Sequence, residues 1–378
     1  MDLAHADVVL GSPLGRQLLV RYLGFGSERS VLEELGLAAS SGSSVLRAVS
    51  QRPRRLQRPR RRRSREWHQV PTDEARAVIA AAVARGEWRE LSDRAELDLL
   101  TDLAETSFGF GFGGDEAIWA LTALAKQELR PVAEALVAAR GAAKWWASVA
   151  LADQRFLEWD GSPRATGPAA EQVVRDGMRD ERAENQQGLL RRRPQERAGT
   201  RIGAIWWSAP DFAQLTWTTS PAGDIPAIAL GHFIDTLWPF EETGVTIWSL
   251  QIAPDANVLE ITEPAGWQAL VARFPRDVTG THDGEWRYWG GVPGPWLLPD
   301  WEQVMAHYDG VHVTIGGYLA SCGLALPVAD GYTMLAGWIP GATLWLRDMA
   351  AAARPLGQWH GQPQDLNWDE FRSGWLKQ

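Results

Sequence analysis

Tryptophan is distributed unevenly along this chain, and the distribution constrains the fold more than any other feature. Of the 21 tryptophans in 378 residues, 15 lie beyond residue 200. Indole rings at that density have to be enclosed, and each N–H needs a partner once it leaves water. The C-terminal part must therefore build a substantial core that polar groups reach into. Around the tryptophans stand short β-branched and aromatic runs bounded by Gly, Pro or Asp, at 201–207, 214–219, 245–252, 257–261, 311–315, 332–336 and 343–347. Such runs read as strands. Pro226, Pro264 and Pro299 suit first helical positions. Strands and helices do not alternate strictly, so a mixed or antiparallel sheet is expected rather than a doubly wound one.

Upstream the periodicity is helical. Leu97, Leu100, Leu103 and Ala104 recur at helical spacing, and after Asp115 so do Ile118, Leu121, Leu124, Ala125, Leu129, Val132 and Leu136. Pro131 falls inside that second pattern and is expected to kink or split it. The fold class is thus α+β: a helical N-terminal region, then a tryptophan-rich mixed or antiparallel sheet with interspersed helices. The expected division is a basic, largely disordered tail over 1–65, a helical region over 66–160, a polar linker over 161–200 and the tryptophan-rich domain over 201–378.

Charge supports the tail. Residues 1–65 carry 13 arginines against five acids, whereas the remaining residues carry 25 basic groups against 42 acidic ones. An acidic body disfavours broad nucleic-acid or membrane binding by long-range field, leaving only the Arg52–Arg65 arm as a nucleic-acid contact. Thirty-five of the 38 basic residues are arginine. Together with abundant alanine and glycine, that reads as GC-rich coding bias. A single cysteine, Cys322, excludes a disulfide framework and multi-cysteine metal sites, and suits a reducing cytoplasm. No run of about 18 apolar residues marks a membrane span.

No G-x-S-x-G, P-loop or Rossmann fingerprint stands in its required context. The glycine-rich run Phe108–Gly114 has no strand before it and no Lys-Ser/Thr after it. His307, Asp309 and His312 would need a tight turn to share a metal ion, and no metal site is assigned.

The candidate chemistry lies elsewhere. In 311–315, alternation sends Val311, Val313 and Ile315 to one face and His312 with Thr314 to the other, with Asp309 and Tyr318 close by. His312 there is a candidate proton-transfer group on a pocket wall. Glu260, flanked by Leu259 and Ile261, is the carboxylate most rigidly held. Arg201, Trp207, Ser208, Thr218 and Thr219 would supply an arginine, hydroxyls and a stacking ring to a small-molecule or nucleotide ligand.

An arginine-bearing strand at Arg201, a hydroxyl-rich strand at Thr218-Thr219-Ser220 and the late segment Tyr308-Asp309-Gly310-Val311 resemble ADP-ribosyltransferase-like folds. The resemblance implies NAD as substrate, held by the arginine and the hydroxyl strand, with a carboxylate assisting departure of nicotinamide. The segment 335–340, where that family's late glutamate would fall, holds none; Glu260 or Asp309 is the candidate negative partner for developing positive charge. The C-terminal half also resembles conserved proteins of high-GC bacteria. Two other readings are a non-catalytic module that anchors protein or carbohydrate on surface tryptophans, and a nucleic-acid-acting protein recruited by its basic arm.

Overall fold

The computed structural model describes residues 3–24, 72–86, most of 123–218, 244–361 and 375–377, with a few isolated positions besides. The chain is α+β. Its centre is an eight-stranded mixed sheet in the order β12-β11-β3-β1-β2-β10-β7-β4. The strands are β1 (Gln154–Trp159), β2 (Gln214–Trp217), β3 (Gly244–Ile252), β4 (Val258–Ile261), β7 (Gly310–Val313), β10 (Ala342–Trp345), β11 (Ala350–Gly361) and β12 (Trp375–Lys377). Among the described ladders, β4 with β7 is the parallel one and the others are antiparallel. Two further ribbons pair β5 (Pro275–Asp277) with β6 (Leu297–Pro299), and β8 (Leu326–Val328) with β9 (Gly331–Thr333).

Period-two alternation puts two cores on the two faces of the large sheet. Leu157, Ile247, Ile261, Val311, Val313, Ala342 and Leu344 belong to the main core. Phe156, Leu250, Ile252 and Trp345 form a smaller cluster from the opposite parity. β7 and β10 are buried along their whole length.

Several expectations need correction. Residues 3–24, grouped with the basic tail by their charge, form helices α1 (Leu3–Gly11) and α2 (Pro13–Gly24). Val9, Leu14, Leu18 and Leu19 are fully buried there. Most of the tail's arginines lie beyond residue 24, so the charge count hid an apolar start. Arg16 is itself buried, with Nη1 donating to the Leu10 and Gly11 carbonyls at 3.0 Å. Burial pushes it down only to about 10, so it stays charged at neutral pH. The Ser12 hydroxyl donates to the Leu319 carbonyl, and His5 stacks on Trp146 with ring centroids 3.9 Å apart. These contacts fasten the N-terminus to the body.

The next helices are α3 (Thr72–Arg85) and α4 (Lys126–Ala138), and α4 runs through Pro131 as one element. A short 3₁₀ turn over Gly141–Trp146 leads to β1. β1 lies in the region expected to be purely helical, yet it pairs with β2 and β3, so the sheet crosses the expected domain boundary. The expected polar linker is largely a 30-residue helix, α5 (Pro168–Arg197). Its apolar stripe is thin: Ala170, Val174 and Met178 are buried at four-residue spacing, with Asn185 below them. Ile205–Trp207, expected as a strand, carries no ladder. The Phe108–Gly114 run, the Arg52–Arg65 arm and the helix expected at Pro226 lie outside the described residues.

The later helices are α6 (Pro264–Arg273), α7 (Thr279–Gly290), α8 (Trp301–Met305) and α9 (Ile315–Ser321). Trp267, Trp301 and Trp338 meet with centroids 6.1–6.4 Å apart. Trp267 finds a partner in Thr333 Oγ1 at 3.0 Å, and Trp296 in Asp283 Oδ1 at 3.1 Å. Helices α5 and α7 cross through glycine. A Cβ on Gly280 would collide with the Asn185 carbonyl oxygen, and one on Gly188 with the Gly280 carbonyl oxygen. Gly280→Ala is therefore expected to destabilise the protein by at least ~2 kcal/mol in denaturant unfolding. Gly266→Ala, whose Cβ would lie 3.6 Å from Ile261 Cδ1, should be neutral or slightly stabilising, since alanine is the better helix residue.

Candidate functional site

The sequence candidates separate into places that do not coincide. Along one face of the sheet, Glu260, His312, Thr343 and Thr216 stand side by side on β4, β7, β10 and β2. His312 Nδ1 lies 2.9 Å from Thr343 Oγ1. Thr216 donates to Gln154 Oε1 at 2.6 Å and accepts from Trp345 Nε1 at 2.7 Å. The Gln154 amide in turn donates to Thr218 Oγ1 and to the Ala150 carbonyl, the latter at 3.0 Å. Thr218 also accepts from the Ala150 amide at 3.2 Å, and Glu260 Oε1 from the Val149 amide at 3.0 Å.

This row corrects the expectation for His312. The strand is buried on both faces and His312 is only 3% exposed, so it is not the wall of an open pocket. Burial lowers its pKa to about 4, with the Ala147 backbone pulling weakly the other way, so the ring is neutral at pH 7. Its Nε2 lies 3.9 Å from Glu260 Oε2, too far for a hydrogen bond. Glu260 is half-buried, and burial raises its pKa while the Val149 bond opposes the rise.

The remaining sheet-side candidates are committed within the fold. Thr314 caps α9: its hydroxyl accepts from the Gly317 amide at 2.9 Å and donates to the Ile261 carbonyl at 3.3 Å. Tyr318 is buried on α9 and accepts from Cys322 Sγ at 3.4 Å. The Cys322 thiol is pushed up to about 12 by burial, which removes it as a nucleophile. Asp309 ties the start of β4 to the end of β10, accepting from the Asn257 amide and from Arg347 Nη1, both at 2.9 Å. Arg201 and Thr219 lie outside the described residues. Among the described residues, no three or more His, Cys, Asp or Glu side chains converge as a metal site.

Trp207 and Ser208 lead to a different place. They line a shallow pocket with Glu181, Glu184, Arg276, Thr281 and His282. Its volume is about 30 Å³, room for a water or two, and empty space counted out through its open mouth is about 370 Å³. Ile205–Ser208 forms one wall without belonging to a sheet, because side chains and neighbouring backbone hold it. Trp286 Nε1 donates to the Trp206 carbonyl at 2.9 Å, and His282 Nε2 lies 3.0 Å from the Trp207 carbonyl. Ser208 donates to the Ala336 carbonyl at 2.7 Å and accepts from the Ala336 amide at 3.0 Å. The Ser208 hydroxyl is thus a latch rather than a ligand group. The Trp207 ring packs so closely on Gly337, at φ +58°, that a Cβ there would collide with it.

His282 is enclosed, and burial lowers its pKa to about 4. A carbonyl can only accept, so Nε2 carries the proton that goes to Trp207. Nδ1 lies 2.8 Å from the Thr281 hydroxyl, whose one proton is shared between that nitrogen and the Val278 carbonyl 3.1 Å away. Arg276 is buried at the inner end and gives Nη2 to Glu181 Oε2 at 2.6 Å, while Nε is buried with no partner among the described residues. Burial lowers its pKa, with Glu181 foremost among the groups opposing the shift. Arg182 fixes α5 by donating to both oxygens of Asp300, at 2.9 and 2.7 Å. Asn185 does the same by accepting from the Gly280 amide at 2.7 Å.

Sequence reasoning missed Glu181, Glu184, Arg276 and His282. Two sit on a helix read as a linker, and Arg276 stands in a three-residue strand too short to show alternation. The one available signal was the spacing of His282 and Trp286, one helical turn apart on α7. No family model matches the chain, and neither the curated proteins nor the solved structures yield a match.

His282 and His312 both have folded-state pKa values near 4, below the usual value of about 6.5 for an unfolded histidine. Their contribution is present above pH 6.5 and is lost as pH falls from there through 4, at most about 3 kcal/mol for each. Glu260, raised by burial, works in the opposite direction. The midpoint of thermal unfolding should fall between pH 6.5 and 4, and less steeply in His312→Gln than in the wild type.

Proposed function

We propose that the protein binds a small molecule in the pocket bounded by Trp207, Arg276 and His282, with a nucleotide carrying a flat ring as the ligand class. The observation that carries this reading is the convergence of an aromatic face, a buried guanidinium and carboxylates at one concave opening. Such openings are where ligands bind by default.

NAD is the first ligand to test, and an ADP-ribosyltransferase-like enzyme is the form of activity that the resemblance nominates. Glu181 and Glu184 line the mouth. A ring bearing positive charge, as nicotinamide does within NAD, would be matched by them. No tryptophan side chain among the described ones is exposed, so the tryptophan-anchor alternative would have to rest on rings outside them. The basic arm of the nucleic-acid reading lies outside the described residues. No helix among the described residues is long and apolar enough to cross a membrane.

A thermal-shift screen with NAD, ADP-ribose and nicotinamide tests the reading. A ligand at about ten times its dissociation constant should raise the midpoint by about 2 °C. Trp207→Leu, which keeps an apolar group against Gly337, should abolish that rise. No rise with any of the three, or an equal rise in the variant, contradicts the pocket.

A further inference from the structure

We infer that His282 is the positioning residue of this site: its bond to the Trp207 carbonyl holds the tryptophan wall where a ligand meets it. The inference rests on the pocket being a ligand site, and it adds the residue on which the wall's placement turns.

Ile205–Trp207 belongs to no ladder, so its backbone polar groups have to be met one at a time. Helix α7 meets them in chain order. The Ile205 amide donates to the Thr281 carbonyl at 3.3 Å, and the Trp206 carbonyl accepts from Trp286 Nε1 at 2.9 Å. The Trp207 carbonyl then accepts from His282 Nε2 at 3.0 Å. His282 and Trp286 stand one turn apart with ring centroids 4.5 Å from each other, so one helix face reaches consecutive carbonyls. Among these contacts, the His282 bond is the one that falls on Trp207, and both residues line the pocket.

Trp207 is braced from a second side. Its ring packs on Gly337, while the Ser208 hydroxyl donates to the Ala336 carbonyl and accepts from the Ala336 amide. Without the His282 bond, the 336–337 backbone has to hold the ring alone. A ligand then meets the formed wall for only part of the time, and its affinity falls by that fraction. The state of His282 suits holding rather than proton transfer. Its ring is buried and neutral at pH 7, Nε2 is given to the carbonyl, and Nδ1 lies against the Thr281 hydroxyl.

The test titrates NAD, ADP-ribose and nicotinamide into the full chain and two variants, followed by ligand-observed NMR. His282→Gln keeps an N–H donor at the reach of Nε2, whereas His282→Leu fills similar space without one. His282→Leu should bind the probe about tenfold more weakly, as for one lost buried hydrogen bond, and His282→Gln should stay within about threefold of the wild type. A residue that only fills the core would leave the two variants equal. In the wild type, a long-range proton–nitrogen spectrum at pH 7 should show His282 protonated at Nε2, with its signal moving when the probe is added. If His282→Leu does not fold, that spectrum decides: a ring protonated at Nδ1, or one blind to the probe, overturns the inference. Equal binding by the two variants overturns it as well. Each of these results leaves the pocket reading in place, whereas failure of the wild type to bind any of the three probes overturns both.

Discussion

Burial of β7 and β10 on both faces is the constraint from which the arrangement of polar groups follows. A strand covered on both sides has to pair every polar side chain within the protein, because water cannot reach it. His312 meets that demand with Thr343, and Thr216 with Gln154 and Trp345, in a row of side chains that crosses β7, β10, β2 and β1. The row tolerates a histidine only in its neutral form, and burial keeps His312 neutral. Chemistry that needs solvent, a substrate and room to move has to be found off the sheet.

The pocket meets those requirements because its wall is irregular. Ile205–Ser208 has no strand neighbour, so its carbonyls and amides are taken up by α7 and by Ala336. A segment held by side chains from two elements can present a tryptophan at an opening while its backbone stays satisfied. The α5–α7 crossing at Gly280, fixed by Asn185, brings Glu181 and Glu184 to the same opening. The helix that charge and polarity disguised as a linker thus supplies one side of the candidate site.

How much of this was legible follows from what each signal measures. Six of the seven expected strand positions that fall among described residues hold strands, because alternation of apolar residues reports a sheet face directly. The seventh, at 201–207, has the composition of a strand but no ladder where it is described, since composition cannot specify a partner. Glu260 and His312, read separately from two strand segments, are register partners on β4 and β7, and no pattern in either segment specifies that pairing. The depth of that pair was not legible, because the 147–150 segment lying against it is remote from both in sequence. Arg276 and His282 escaped for the same reason: each gains its meaning from a distant upstream segment, Arg276 from Glu181 on α5 and His282 from the Trp207 carbonyl. The polar face of α5 also concealed its thin apolar stripe of Ala170, Val174 and Met178.

The central claim is that a ligand binds beside Ile205–Ser208 and α7 and not on the sheet row. Hydrogen–deuterium exchange of the full chain with and without millimolar NAD tests it most directly. The account predicts slower exchange in peptides covering 205–210 and 276–284, where the pocket lining lies, with 257–261 and 310–314 unchanged. Protection confined to the segments of Glu260 and His312 would contradict it and return the site to the sheet.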